Sequence, residues 1–401
     1  MNKEAFIEKY AVDRFQTDSQ KWDALEQRFG KGDLLSMWVA DMEFKTSEKI
    51  IEALSKRIEH GVFGYSFVAR DYYQIFSKWM SVHHQFPIDK EWVRFSPGVV
   101  PAIYWMINAF TKPADACLIL TPVYYPFHNA VKDTERKLVT VDLKNDKGYY
   151  TMDFNAIEKA IIDHQVRLFI MCSPHNPVGR VWSETELEKI MEICKRHQVL
   201  IVSDEIHQDI IPGDKKFIPA AIVDSGKYRN QLITLSAASK TFNLASLVHG
   251  HIIISDEKLR QRYDEYAKKV NHAEENLIGM IATKAGYQDG EEWLAGILEV
   301  IRDNYNYVKK SFEEQAKEIV VSPLEGTYLL FLDLHSYIEP ENTKEFIQDK
   351  CRLAVDYGEW FGDNFKGFIR LNLATHPKYV EEAVTRIILE ISKLSDKKKA
   401  I

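Results

Sequence analysis

The stretch Leu232-Ile233-Thr234-Leu235-Ser236-Ala237-Ala238-Ser239-Lys240-Thr241-Phe242-Asn243 decides how this chain is read. Its first four residues are apolar or β-branched, the composition of a buried strand. A single amine, Lys240, follows at the carboxyl end among small hydroxyl residues. Surface decoration does not explain a lysine in that setting. A Schiff-base lysine does: low dielectric depresses its pKa, and nearby hydroxyls and amides hold a phosphate.

Outward from this stretch, strand-like and helix-like segments alternate. Residues 116–120, 168–172, 199–202 and 251–254 are short, continuous apolar runs, suited to strands covered on both faces. Ser183-Glu184-Thr185-Glu186 reads as a capping box, and Leu187, Ile190, Met191 and Cys194 recur at helical spacing behind it. Repetition of helix and strand predicts an α/β fold built on a mostly parallel, doubly wound sheet. A long amphipathic pattern follows (Trp293, Ile297, Val300, Ile301, Val308, Phe312). Strands near 328–332 and 368–373 come next, then a last helix bearing Val380, Ala383, Ile387, Ile388 and Ile391. These predict a smaller α+β domain. The first 45 residues read as irregular, with Trp22, Met37, Trp38 and Met42 as packing anchors. The expected division is an arm, 1–45, packing on the small domain, a large domain, 46–285, and a small C-terminal domain, 286–401.

A length of 401 residues exceeds one ordinary core, and 45% hydrophobic with 28% charged residues is a globular composition. A net charge of −7 leaves no basic excess for nucleic acid. No apolar run has transmembrane length, and the polar start Met1-Asn2-Lys3-Glu4-Ala5 is unlike a secretory leader, so no membrane association is expected. Cys117, Cys172, Cys194 and Cys351 form no CxxC pair, which fits a reducing cytoplasm and predicts no metal site.

In an open α/β sheet, ligands bind beyond the carboxyl ends of the strands. Asp204 follows the run 199–202; it reads equally as the partner of a protonated pyridine nitrogen or as a helix N-cap. His207, three residues on, is placed for a ring hydroxyl or for a structural role. Asn176, in Ser173-Pro174-His175-Asn176-Pro177, lies in a turn beyond 168–172 and is a donor for a phenolate oxygen. Ser96-Pro97-Gly98-Val99-Val100-Pro101 enters a helix and offers free amides to an anion. Tyr124 stacks on a planar heterocycle or packs in the core. Arg370, a charge inside the apolar run Phe368-Ile369-Arg370-Leu371-Asn372-Leu373, suits a bidentate grip on a carboxylate or an internal salt bridge.

Taken in order, Asn176-Pro177, Asp204 with His207, Ser239-Lys240 and Arg370 resemble the class I/II aminotransferase family, pyridoxal-phosphate enzymes of fold type I. Met37-Trp38-Val39-Ala40-Asp41-Met42, Gly61-Val62-Phe63-Gly64-Tyr65, Ser203-Asp204-Glu205-Ile206-His207 and Lys240-Thr241-Phe242-Asn243 resemble the branch of MalY/PatB-type cystathionine β-lyases. The resemblance implies that the cofactor is pyridoxal 5′-phosphate, bound by the large domain and joined to Lys240. It implies Asp204 at the ring nitrogen, Asn176 and His207 at the ring hydroxyl, and Tyr124 against the ring. Val99 and Val100 amides with Ser239 hold the phosphate, and Tyr65 reaches the phosphate of a neighbouring subunit in a homodimer. Arg370 takes the substrate α-carboxylate, beside Val39 and Ala40. Val248 stands where many aminotransferases carry a phosphate-binding arginine, and Ala237 where many carry serine. Loss of that arginine also occurs in the β-lyase branch.

The activity so implied is carbon–sulfur β-elimination from cystathionine, cysteine or a similar β-thio amino acid, giving pyruvate, ammonia and a thiol. Transamination of an L-amino acid by the same residues is the alternative. A regulatory role is a third reading, since some members of the branch bind a transcription activator.

Overall fold

Two sheets meet over the residues singled out above. The computed structural model describes residues 1–270 and 276–399, with side chains as far as Leu394. Among the described residues the larger sheet comprises β1 (Val93–Ser96), β2 (Ala116–Thr121), β3 (Lys137–Asp142), β4 (Val166–Cys172), β5 (Leu200–Asp204), β6 (Leu232–Ser236) and β7 (Gly250–Ile253). Their spatial order is β1-β7-β6-β5-β4-β2-β3. From β3 to β6 every pairing is parallel, whereas β7 is antiparallel to both neighbours. The sheet is therefore mostly parallel, as the alternating pattern predicted.

Continuous apolar strands arise here because both faces are covered. Along β4, Phe169 and Met171 join one hydrophobic cluster, while Leu168, Ile170 and Cys172 join the other. Successive side chains point to opposite faces, so each must be apolar. Every such fully buried aliphatic side chain contributes about 1.5–3 kcal/mol. The edge strand β3 escaped the sequence reading because Lys137 and Thr140 are exposed and break the apolar run. In β1 the interruption is Arg94, paired with Asp264 at 2.7 Å.

Helix α1 (Val99–Phe110) lies on one face, against five of the seven strands. Helix α2 (Glu184–Arg196) covers the other and starts with the expected capping box. The Glu186 N–H donates to Ser183 Oγ at 3.3 Å, and the Ser183 N–H to Glu186 Oε2 at 2.9 Å.

The smaller sheet is antiparallel: β8 (Val320–Val321), β9 (Leu329–Asp333), β10 (Asp356–Tyr357) and β11 (Phe368–Asn372), in the order β8-β9-β11-β10. Helix α3 (Glu291–Gln315) buries Trp293, Ile297, Val300, Ile301, Val308 and Phe312, the predicted stripe, and packs on α4 (Pro377–Lys399).

The first 45 residues are less irregular than their sequence suggests. Lys3–Tyr10 and Leu25–Phe29 are helical. Both escaped notice because they are short and bury only two residues each, too few for a periodic signal. Phe6 sits 5.9 Å from Trp293 on α3, and Leu35-Ser36 pairs in parallel with Leu353-Ala354. Trp22, Met37, Trp38 and Met42 are buried. We propose residues 45 and 285 as the domain limits; the second falls within the helix Leu277–Asp289. No described helix is long and apolar enough to cross a membrane.

Candidate active site

The carboxyl ends of β4, β5 and β6, the start of α1 and the loop after β2 converge on one cavity. Ala40, Val99, Val100, Tyr124, Asn176, Asp204, His207, Ser239 and Lys240 all line it. A second cavity shares Ala40, Tyr124 and Lys240 as walls and extends to Val39, Asp41, Asp356 and Arg370. Sequence reasoning thus named residues that the fold gathers from segments far apart in the chain. Tyr65 is different. It is fully exposed and does not approach the cavity of its own chain.

Lys240 lies in the short helix Ala238–Thr241, directly after β6. Its Nζ donates to the Ala40 carbonyl at 2.7 Å. Burial lowers its pKa to about 8; Asp41 and Asp204 oppose the shift, and Arg370 adds to it. The helix is anchored from below. Thr241 Oγ1 donates to Asp209 Oδ2 at 2.7 Å, while Trp79 Nε1 and His84 Nε2 lie 3.1 Å and 2.6 Å from Asp209 Oδ1. Burial alone would raise the Asp209 pKa, but these bonds outweigh it and hold the carboxyl below its ordinary value.

Asp204 ends β5 and is buried. Its Oδ1 accepts from the Ile206 N–H at 3.0 Å, and the chain goes on into turns, so Asp204 caps no helix. Desolvation raises its carboxyl pKa to about 7, against the pull of the Ile206 bond and of Lys240. His207 is also buried, and its Nδ1 has no hydrogen-bond partner among the described residues. Burial first, then Lys240 and Arg370, keep this imidazole neutral. The Tyr328 ring meets His207 edge-on at 5.7 Å, and the Tyr328 hydroxyl donates to the same Ala40 carbonyl as Lys240, at 2.7 Å.

Gly98 precedes α1 with φ of 144°, a conformation that L side chains rarely adopt. Pro101 has no N–H, so Val99 and Val100 supply the amides at the first three helical positions, where the helix dipole favours an anion.

Arg370 is 2% exposed on β11. Nη1 donates to Asn176 Oδ1 at 2.9 Å, which ties the end of β4 to the small sheet. Nη2 donates to the Trp38 carbonyl at 3.3 Å and also pairs with Asp356, while Nε is buried without a partner among the described residues. The internal salt bridge weighed from the sequence is therefore present. Asp356 sits directly across from Arg370 in the register of β10 and β11. It was missed, although it carries the signal that exposed Arg370: a charge inside the apolar run Leu353-Ala354-Val355-Asp356-Tyr357. Among the described residues, no cluster of His, Cys, Asp and Glu is arranged to hold a metal ion.

A family profile described as aminotransferase class I and II matches residues 33–387. Cystathionine beta-lyase PatB of Bacillus subtilis (strain 168) is 34% identical over 381 residues, spanning 95% of this chain and 98% of that protein. A PLP-bound putative aminotransferase from Clostridium difficile 630 has a similar structure, with TM-score 0.91 and 39% identity over 96% of this chain and 99% of that one. The PLP-bound C-S lyase from Staphylococcus hominis gives TM-score 0.88 and 31% identity over 95% of this chain and 96% of its own. The matches run through both sheets and the cavity between them, and the chain belongs to the aminotransferase class I and II family.

Proposed function

We propose that this protein is a pyridoxal-phosphate-dependent carbon–sulfur β-lyase. It cleaves cystathionine, cysteine or similar β-thio amino acids to pyruvate, ammonia and a thiol. The observation that carries the reading is the convergence of the Lys240 amine, the Asp204 carboxyl and the Val99 and Val100 amides on one cavity beside Arg370. The names of PatB, a cystathionine β-lyase, and of the Staphylococcus hominis C-S lyase support the reaction class.

The cavity residues fit pyridoxal 5′-phosphate. Asp204 has one bond among the described residues, and burial raises its pKa to about 7, the mark of a buried carboxyl short of a cationic partner such as a pyridinium. The orphaned Nδ1 of His207 likewise leaves a buried polar atom to be matched. Asp204 would hold the ring nitrogen, Asn176 and His207 the ring hydroxyl, and Tyr124 the ring face. Val99, Val100 and Ser239 would hold the phosphate. When bound, the coenzyme supplies an electron-accepting ring that acidifies the Cα–H of an amino acid.

The chain's own groups do the rest. Arg370 holds the substrate carboxylate beside Val39 and Ala40. Lys240 Nζ, with its pKa lowered to about 8, is more often uncharged at neutral pH than an ordinary lysine, and it takes the proton from Cα. Asp204 keeps a negative charge where the coenzyme ring needs its proton.

Transamination uses the same residues, and the putative-aminotransferase description of the Clostridium difficile relative favours it as the second reading. We place the protein in the cytoplasm as a homodimer. The exposed Val62, Phe63, Tyr65 and Phe67 form an apolar segment that a second copy would cover, which would bring Tyr65 to the neighbour's phosphate. Sedimentation at the mass of one chain would remove that part of the proposal. For the reaction, purified protein with pyridoxal phosphate and S-methylcysteine should release pyruvate with no keto acid present. Absence of pyruvate, with amino transfer to an added keto acid, would assign the protein to the second reading.

A further inference from the structure

Asp356 has no place in the reaction as described, yet it occupies the most consequential donor of Arg370. A guanidinium offers five N–H bonds, and a carboxylate held at two points lies along either the Nε–Nη2 edge or the Nη1–Nη2 edge. Nη2 belongs to both edges. Its two hydrogens are committed, one to the Trp38 carbonyl and one to Asp356. Among the described residues Nε is buried and unmatched, and Nη1 gives one bond, to Asn176. A two-point grip on a substrate carboxylate therefore requires one Nη2 partner to leave.

The Trp38 carbonyl is fixed. The chain beside it is held by Met37 N–H to the Ala354 carbonyl and by Asn372 N–H to the Met37 carbonyl, both 2.8 Å. The Asp356 backbone is fixed in β10, but its contact with Arg370 is made by the side chain, so rotation of that side chain is enough to release Nη2. It is 3% exposed, and Arg370 is the only hydrogen-bond partner of its carboxylate among the described residues. Left without the guanidinium, a carboxylate so buried favours its neutral form.

We propose that Asp356 occupies the position on Arg370 that a substrate carboxylate takes. Binding then exchanges one carboxylate for another, and the displaced Asp356 accepts a proton from solvent. The inference rests on the reading of Arg370 as the carboxylate-binding residue. Asp356 is thus a positioning residue. It keeps Arg370 in place and neutral overall until substrate arrives, and it makes affinity for the carboxylate fall as pH rises.

The groups facing Asp356 do not substitute for Arg370. Lys21, on the arm, is bound to Glu43 at 2.8 Å. Arg28, on the helix Leu25–Phe29, lies over the Trp360 ring at 4.8 Å. Across the cavity Arg14 is paired with Asp41 at 2.8 Å. Lys240 donates to Ala40, and Tyr124 adds a phenol that burial keeps protonated. Burial is already the largest influence on the Asp356 carboxyl and raises its pKa, with Arg370 opposing.

The probe is 3-(methylthio)propanoate, which has the carboxylate and the thioether but no amine to react with the coenzyme. Calorimetric titration of the holoenzyme in two buffers of different ionisation enthalpy counts protons taken up on binding. The wild type should take up a proton and bind more weakly as pH rises, by up to about tenfold per unit. Asp356→Asn should bind on the order of tenfold tighter at pH 8, with that uptake gone. Asp204 and Lys240 titrate in both proteins, so the difference isolates Asp356. If the Asn variant keeps the same uptake and slope, the exchange is wrong, and if wild type takes up no proton it is wrong whether or not the variant folds. Arg370→Lys separates the two levels. Loss of probe affinity upholds Arg370 as the carboxylate site whatever Asp356 does, and retained affinity overturns that reading and the exchange together.

Discussion

The two sheets approach the same cavity with opposite hydrogen-bonding habits. The large sheet delivers groups with capacity to spare: among the described residues Asp204 has one bond, His207 Nδ1 has none, and Lys240 has one carbonyl. The small sheet delivers Arg370 already paired with Asp356, Asn176 and Trp38. Unmet polar atoms are costly in a buried site unless something meets them, which supports the proposal that the large-sheet side holds a resident group. On the small-sheet side the buried Arg370 charge is paired with Asp356, and under the exchange proposed above that pair neutralises it until a carboxylate arrives.

That contrast breaks first at Lys240. Lys240→Ala should cut pyruvate release by at least about 10²–10⁴-fold and abolish the visible absorbance of the bound coenzyme. Activity within tenfold of wild type would deny the large sheet its role. Arg370→Lys tests the other side. It should raise KM by about 10–100-fold with kcat changed far less, because the lost two-point grip acts on substrate binding. A fall in kcat alone would merge the two sides into one.

The pH response sharpens the contrast further. A lysine whose pKa is depressed gains its uncharged, nucleophilic form as pH rises through the lowered value. Labelling of Lys240 by an acylating reagent in the cofactor-free protein should therefore have its midpoint near pH 8. A midpoint at the ordinary lysine value would place the amine in water. The smallest effect is expected at Thr241. Thr241→Val removes one of the bonds to Asp209 beneath the lysine and should cost about 1–3 kcal/mol in denaturant unfolding, with the fold retained.

Legibility in the sequence followed burial on two faces. Strands β2, β4, β5, β6 and β7 were visible because strands covered on both faces need uninterrupted apolar runs, whether parallel or, as in β7, antiparallel. The residues just past them stood out for the same reason, as the first polar groups after such a run. Strand β3, with one side to solvent, gave no such signal. Asp356 was legible as a charge in an apolar run, but its opposition to Arg370 was not, because its strand is two residues long and the pairing appears only in the sheet register. The buried bonds from Trp79 and His84 to Asp209 join residues more than a hundred positions apart, beyond any local pattern.

The chain's letters alone determined an alternating α/β architecture and an amine, a carboxyl and an amide at strand ends. Periodicity and the cost of burying charge act locally and leave their mark on neighbouring residues. Only the tertiary structure decided which charges neutralise each other, that one backbone carbonyl at Ala40 receives both Lys240 and Tyr328, and that Tyr65 stands apart from its own chain's cavity. Those outcomes depend on distances between remote segments, which close-packing of the two sheets sets and no local pattern encodes.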